Sequence, residues 1–227
     1  MKVTLLSKDA LPVMVRNATL GALTCTGNED KIKEYEPVGF LKELIKRGHE
    51  SVIEHINLTF RVEDISRALL QELARHRHIS LSVRSTRYTL SKGLQDEDYR
   101  RFVHEAIASI LDVAVSKYND DEIEEIQMAS PEEIAPELLA KLQGKGVGKY
   151  ADILKYFIPE FFPTSLVLTT NARELRHIFK LRSRPEALHE FRYLTKALYD
   201  AIPKDYSPLF LDCMHEEVLG LSVEVGS

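Results

Sequence analysis

The stretch Arg75-His76-Arg77-His78-Ile79-Ser80-Leu81-Ser82-Val83-Arg84-Ser85-Thr86-Arg87-Tyr88 places the tightest limit on how this chain folds, because it sets four arginines, two histidines and three serines side by side. Arginine is rarely buried unless paired, so no core element has this composition and the core must come from the segments around it. Several guanidinium forks together suit phosphates or other fixed anions, since each keeps its charge near neutral pH. Neighbouring hydroxyls can orient such a ligand. Composition alone favours a solvated basic loop, so the decision rests with the rest of the chain.

With 227 residues, 44% of them hydrophobic, the chain can bury one substantial core, and a single domain over 1–227 with excursions is expected. The net charge of -5 argues against broad electrostatic attachment to nucleic acid. The basic character is local: from Arg67 to Lys92 the only acid is Glu72, whereas Asp120 to Glu125 and Glu132 to Glu137 are acidic. Such segregation suggests a small anionic ligand in a pocket. Cys25 and Cys213 are too few and too far apart for a disulfide framework or a cysteine-rich metal site, which fits a reduced cytoplasm. The start, Met1 to Lys8, is too short for a signal segment, and no apolar run reaches membrane-spanning length, so neither targeting nor a membrane partner is expected.

Periodicity supplies the elements. Lys2 to Ser7 and Asn57 to Val62 read as strands, the second alternating Leu58, Phe60 and Val62 with Asn57, Thr59 and Arg61. Pro37 early and Gly48 late bracket a short helix carrying Leu41, Leu44 and Ile45. Asp64 is the expected cap of a helix with Ile65, Leu69, Leu70 and Leu73 at helical spacing, which delivers the chain to Arg75. Residues 97–118 read as an amphipathic helix. The 143–149 segment resembles a phosphate loop only superficially, because Gln143 stands where that pattern needs Gly. Pro163 to Thr170 reads as a buried strand, Asn171 as the cap of a basic helix through Leu181, and Pro185 to Ala201 as a second helix.

Three stretches need joint explanation: His49-Glu50-Ser51-Val52-Ile53-Glu54-His55, the basic cluster, and Asn171-Ala172-Arg173-Glu174-Leu175-Arg176-His177 through Arg182. A bland account exists for each. His49 and His55 lack the His-Glu-x-x-His spacing of zinc helices, so no metal is expected. Arg173, Arg176 and Lys180 read as a solvated helix face, which leaves Asn171, His177 and Arg182 unexplained.

Taken together the three resemble the flavin-dependent thymidylate synthases, whose signature is Arg-His-Arg, seven residues, then Ser followed by x-Arg-Tyr. Arg75-His76-Arg77, Ser85 and Thr86-Arg87-Tyr88 satisfy it, His49 to His55 is similar to the family's His-Glu-(Ser/Thr)-x-x-Glu-His segment, and Asn171 to Arg182 resembles its second nucleotide-binding segment. The resemblance implies an α+β fold, a mainly antiparallel sheet flanked by long helices, assembled as a homotetramer with active sites at subunit interfaces. It also implies conversion of dUMP to dTMP with FAD as cofactor and NADPH and methylenetetrahydrofolate as co-substrates. In such chemistry the protein mainly positions reactive molecules.

By the same resemblance, Ser51, Arg75, His76, Arg77, Asn171, Arg173 and His177 match flavin-binding positions, with backbone contact open at Val83. Ser85, Thr86 and Arg87 match the turn that holds the nucleotide phosphate, and Arg75 and Arg182 are also expected at the nucleotide. Arg182 matches the arginine at the uracil edge and is the expected catalytic residue, since a cation there favours ionised N3 and enriches C5 in electrons. Lys155 stands where relatives often carry Arg, retaining charge without the fork. Glu72 stands where Gln is frequent, and either accepts from the ribose or pairs with an arginine. Ser85 lacks a base, and neither cysteine lies in the basic motif, so covalent catalysis by either is not expected. A nucleic-acid-binding module using residues 75–101, with Tyr88 and Tyr99 stacking on bases, is the competing reading; the acidic net charge and the two distant motifs count against it, and no nucleic-acid partner is expected.

Overall fold

The computed structural model describes residues 1–86 and 160–225. In chain order, β1 (Lys2–Leu5) precedes α1 (Leu11–Thr24), α2 (Pro37–Lys46), β2 (Asn57–Ser66), α3 (Arg67–Leu73) and β3 (Ile79–Val83); β4 (Pro163–Asn171), α4 (Ala172–Arg182), α5 (His189–Ala201), the one-turn α6 (Glu216–Leu219) and β5 (Glu224–Val225) follow. Two compact units divide the chain, Met1–Val83 with Pro163–Ser227, and Arg84–Phe162. The expected helix over 97–118 and the 143–149 connection lie outside the described residues, as do Arg87 and Lys155. Among the described residues no helix is long and apolar enough to cross a membrane.

In the first unit the strand order is β3-β4-β2-β1-β5. The first four are antiparallel to their neighbours, and the two-residue β5 lies parallel to β1 at one edge. This is the expected α+β arrangement around a mainly antiparallel sheet. Leu58, Phe60 and Val62 of β2 are fully buried and alternate with more accessible residues, the period of a half-buried strand. The core gathers Val3, Leu5, Leu166 and Leu168 from the sheet with Leu41, Leu175, Phe179, Phe191 and Leu194 from the helices. β1 is shorter than Lys2 to Ser7 because the Ser7 hydroxyl, not backbone, accepts from the Thr59 N–H at 3.1 Å.

Asp64 does not cap a helix. The β2–β4 register shifts between Val62 and Ile65, and Asp64 occupies that bulge with φ of 57°, a left-handed conformation that aspartate tolerates better than most residues. The extra residue lets both Val62 and Ile65 be buried. Ser66 caps α3 instead, its Oγ accepting from the Leu69 N–H at 3.0 Å while Glu190 engages both the Ser66 N–H and hydroxyl. The helix still ends just before Arg75, as expected. Pro37 and Gly48 bracket α2 as read, with Gly48 at φ of 84° turning the chain into a single-turn 3-10 helix over Glu50–His55. α5 starts at His189 rather than Pro185, because Arg184 to Ala187 closes a turn and Leu188 is extended.

Register explains why the three motif stretches meet. Asn57 pairs with Asn171 and Ile79 with Thr170, so β2 and β3 both begin at the end of the sheet where β4 finishes. The 3-10 turn before β2, the Arg75–His78 turn before β3 and the N-terminus of α4 after β4 are thereby gathered at one edge. The Ala172 N–H donates to the Ile56 carbonyl at 2.8 Å and ties two of them together.

Candidate functional site

At that edge lies a cleft of about 500 Å³ lined by Glu50, Glu54, His78, Asn171, Arg173, Glu174, His177 and Lys180. Asn171 caps α4, its side-chain oxygen accepting from the Glu174 N–H at 2.9 Å, so the positive end of an 11-residue helix opens on the cleft. The cleft's cations are held by its own acids: Arg173 pairs with Glu54 at 2.6 Å and Lys180 with Glu50 at 3.3 Å. Both pairs are partly exposed, so an anionic ligand can replace the acids at modest cost.

Arg176 rules out the bland account of α4 as a solvated face. Its side chain is only 1% exposed and clamps Asp212 through two bonds of 2.6 and 2.8 Å, with further donation to the Leu209 carbonyl and to Glu50. Asp212 is held below the usual carboxylate range chiefly by the Arg176 hydrogen bond. Arg176 therefore locks the 207–213 segment to α4 and is structural.

Beside the cleft is a second group, built on the buried His76. His76 Nδ1 lies 3.2 Å from the Glu174 carboxylate, and the Arg182 Nε–H donates to His76 Nε2 at 3.2 Å. A carboxylate only accepts and a guanidinium only donates, so His76 is neutral with its proton on Nδ1. Burial pushes its pKa down, and Arg182 adds to that against the opposing Glu174 hydrogen bond. Arg182 also pairs with Glu72 at 3.0 Å and stacks over the Phe191 ring at 4.9 Å. The arginine pairing open to Glu72 is thus present.

Asn171, Arg173 and His177 line the cleft, and His76 and Arg182 stand together as a pair. Ser51, Arg75 and Arg77 are exposed on the converging segments without lining it, and Val83 ends the edge strand, 37% exposed. Ser85 is exposed and Thr86 buried, both in the stretch assigned to the second unit. Sequence reading missed Glu50, Glu54, His78, Glu174, Lys180 and Phe191. Glu174 had a signal, being three residues beyond the Asn171 cap, where an acid completes a capping box. It also brings a ligand atom within 4.8 Å of those of His76 and His177. A metal on His76 Nδ1 would have to expel the proton shared with Glu174, and moving it to Nε2 would set it against the Arg182 donor, so His76 and Glu174 are committed to hydrogen bonds.

Fold and site together define a class: an α+β protein whose antiparallel sheet gathers, at its strand ends, a cleft lined by paired acids and cations and a buried histidine that accepts from an arginine. The family model described as thymidylate synthase complementing protein matches residues 10–206. The flavin-dependent thymidylate synthase of Campylobacter jejuni (strain RM1221) is 40% identical over 182 residues, covering 78% of this chain and 83% of that protein. That of Wolinella succinogenes is 40% identical over 172 residues, covering 76% and 78%. A crystal structure of thymidylate synthase X from Helicobacter pylori with FAD and dUMP superposes with a TM-score of 0.63 at 31% identity, covering 95% of this chain and all of that one. The chain belongs to the flavin-dependent thymidylate synthase family.

Proposed function

We infer that this chain catalyses reductive methylation of dUMP to dTMP, with FAD as cofactor, methylenetetrahydrofolate as one-carbon donor and NADPH as reductant. The observation that carries the reading is the meeting of the three motif segments at one sheet edge, beside Arg182. The donor set suits FAD: Arg173 and Lys180 offer charge to a pyrophosphate, Asn171 and His177 offer hydrogen bonds, and the α4 N-terminus favours an anion. Ser51, Arg75, His76, Arg77 and the Val83 backbone complete the proposed flavin contacts. Bound flavin supplies the hydride that completes the methyl group.

Arg182 does the protein's share of the chemistry. His76 holds its Nε and Phe191 supports its plane, so the guanidinium is preorganised to polarise the uracil edge, favouring ionised N3 and an electron-rich C5. dUMP shares the Arg182 charge with Glu72, and Glu72, Arg75, Ser85, Thr86, Arg87 and Lys155 bind the nucleotide. The chain acts as one domain in a cytoplasmic homotetramer, with sites at subunit interfaces. The test has two stages. Purified protein should absorb as a flavoprotein, and should release tritium from 5-labelled dUMP only with NADPH and methylenetetrahydrofolate present. Arg182→Ala should keep the flavin and lose release by at least about a hundredfold, the scale of one transition-state donor; unchanged turnover rejects its role.

A further inference from the structure

We propose that Glu174 is a positioning residue for Arg182: by accepting the Nδ1 proton of His76 it presents the Nε2 lone pair to the Arg182 Nε–H and so fixes the guanidinium. The role of Arg182 in this proposal rests on the functional reading above.

Three observations carry it. The chain of contacts is continuous and polar at every link, Glu174 to His76 at 3.2 Å, His76 to Arg182 at 3.2 Å and Arg182 to Glu72 at 3.0 Å. It is also sheltered, with the side chains of His76 and Glu174 only 5% and 11% exposed, so water is a poor substitute for either partner. Third, the acid at the third helical position takes His76 as its partner, across 98 residues of sequence. An unanchored imidazole can place its proton on either nitrogen, and with it on Nε2 two N–H groups would face each other at the Arg182 contact. Glu174 excludes that arrangement. Among the described residues, the charged and titratable groups facing His76 are Glu174 and His177 from α4, together with Arg182 at the end of that helix, which in turn carries Glu72 from α3.

The full-length flavin-loaded protein, labelled with 15N-histidine, is compared as wild type, Glu174→Ala and Glu174→Gln. The imidazole 15N shifts of His76, assigned through His76→Gln, report the tautomer, and tritium release from labelled dUMP reports turnover. Glu174→Ala is expected to lose the Nδ1–H signature and about ten- to a hundredfold in kcat, the scale on which partners that orient metal-bound histidines act, while keeping its flavin. Glu174→Gln, whose amide oxygen still accepts from Nδ1–H, is expected to restore both. The acid limb of its pH profile moves to lower pH, because the charge that had favoured the imidazolium is gone. A purely structural residue would move neither the tautomer nor that limb. Retention of the Nδ1–H signature in Glu174→Ala, or a Gln variant no better than the Ala variant, overturns the proposal. A wild-type chain that binds flavin but releases no tritium refutes the functional reading instead, and the 15N comparison then decides the Glu174 contact alone.

Discussion

Replacing Arg176 with Met tests the claim that one basic residue of α4 belongs to the scaffold and not to the ligand cleft. The side chain is 1% exposed, and Met keeps most of its stem volume, so the perturbation falls on the guanidinium. Removing that group leaves the Leu209 carbonyl without its side-chain donor, a desolvated acceptor worth about 1–3 kcal/mol. Asp212 is 60% exposed and regains water, whereas Glu50 is 23% exposed and keeps Lys180, so these two add less than a fully buried pair would. Losing one partner of a buried ionic cluster typically costs about 3–5 kcal/mol, and the exposure of Asp212 places this case near the lower end, about 3 kcal/mol. With a urea slope of about 2 kcal/mol/M, the unfolding midpoint should fall by roughly 1.5 M. Urea titration followed by circular dichroism reads that shift. Arg173→Ala, which removes an exposed pair from the same helix, should leave the midpoint in place and weaken flavin uptake. A shift below about 0.3 M for Arg176→Met, or equal shifts for the two variants, would refute the division between scaffold and cleft.

Three further outcomes are expected. Because burial depresses the His76 pKa, the unfolded chain binds this proton more readily; stability is fully present above the ordinary imidazole value near 6.5 and is lost as pH falls below it. Urea midpoints measured from pH 8 to pH 5 should decline on the acid side less steeply in His76→Gln, and parallel curves would count against the assignment. Ser66→Ala removes the α3 cap and a partner of Glu190, so a loss of about 1 kcal/mol is expected in the same titration, and none if the cap is idle. Burial pushes the Cys213 thiol up to about 11, so iodoacetamide at pH 8 should modify exposed Cys25 and spare Cys213 until the protein is unfolded.

Much of this molecule was legible because local chemistry carried it. Pro37 and Gly48 around α2, the alternation of β2 and the Asn171 cap all act within a few residues. Asp64 misled because Ser66, two residues later, is an equally good cap, and the bulge is specified by pairing with β4 rather than by β2 itself. β3 carries its own signal, since Ile79, Leu81 and Val83 alternate with Ser80 and Ser82, but it is only five residues long and arginines on both sides mask the alternation. The motif spacing pointed to His76, Asn171, Arg173, His177 and Arg182, which the fold brings to or beside one cleft, whereas the acids that hold the cations could not be paired from sequence. Arg176 finds Asp212 and Leu209 through tertiary packing against single-turn 3-10 helices, which no helical periodicity reports.

The β2–β4 ladder has a consequence for how the protein comes into being. Thr59 and Thr169, which share a hydroxyl contact across it, are 110 residues apart, so closing the ladder carries the entropy cost of a long loop and belongs among the slower steps of folding. During synthesis the basic turn at Arg75 emerges long before the strand that completes its edge of the sheet. The ligand cleft therefore appears at the end of assembly, in the same event that closes the sheet. A cofactor that binds only the finished edge holds that ladder shut by mass action, so flavin supply should govern how long newly made chains survive as well as how fast they work.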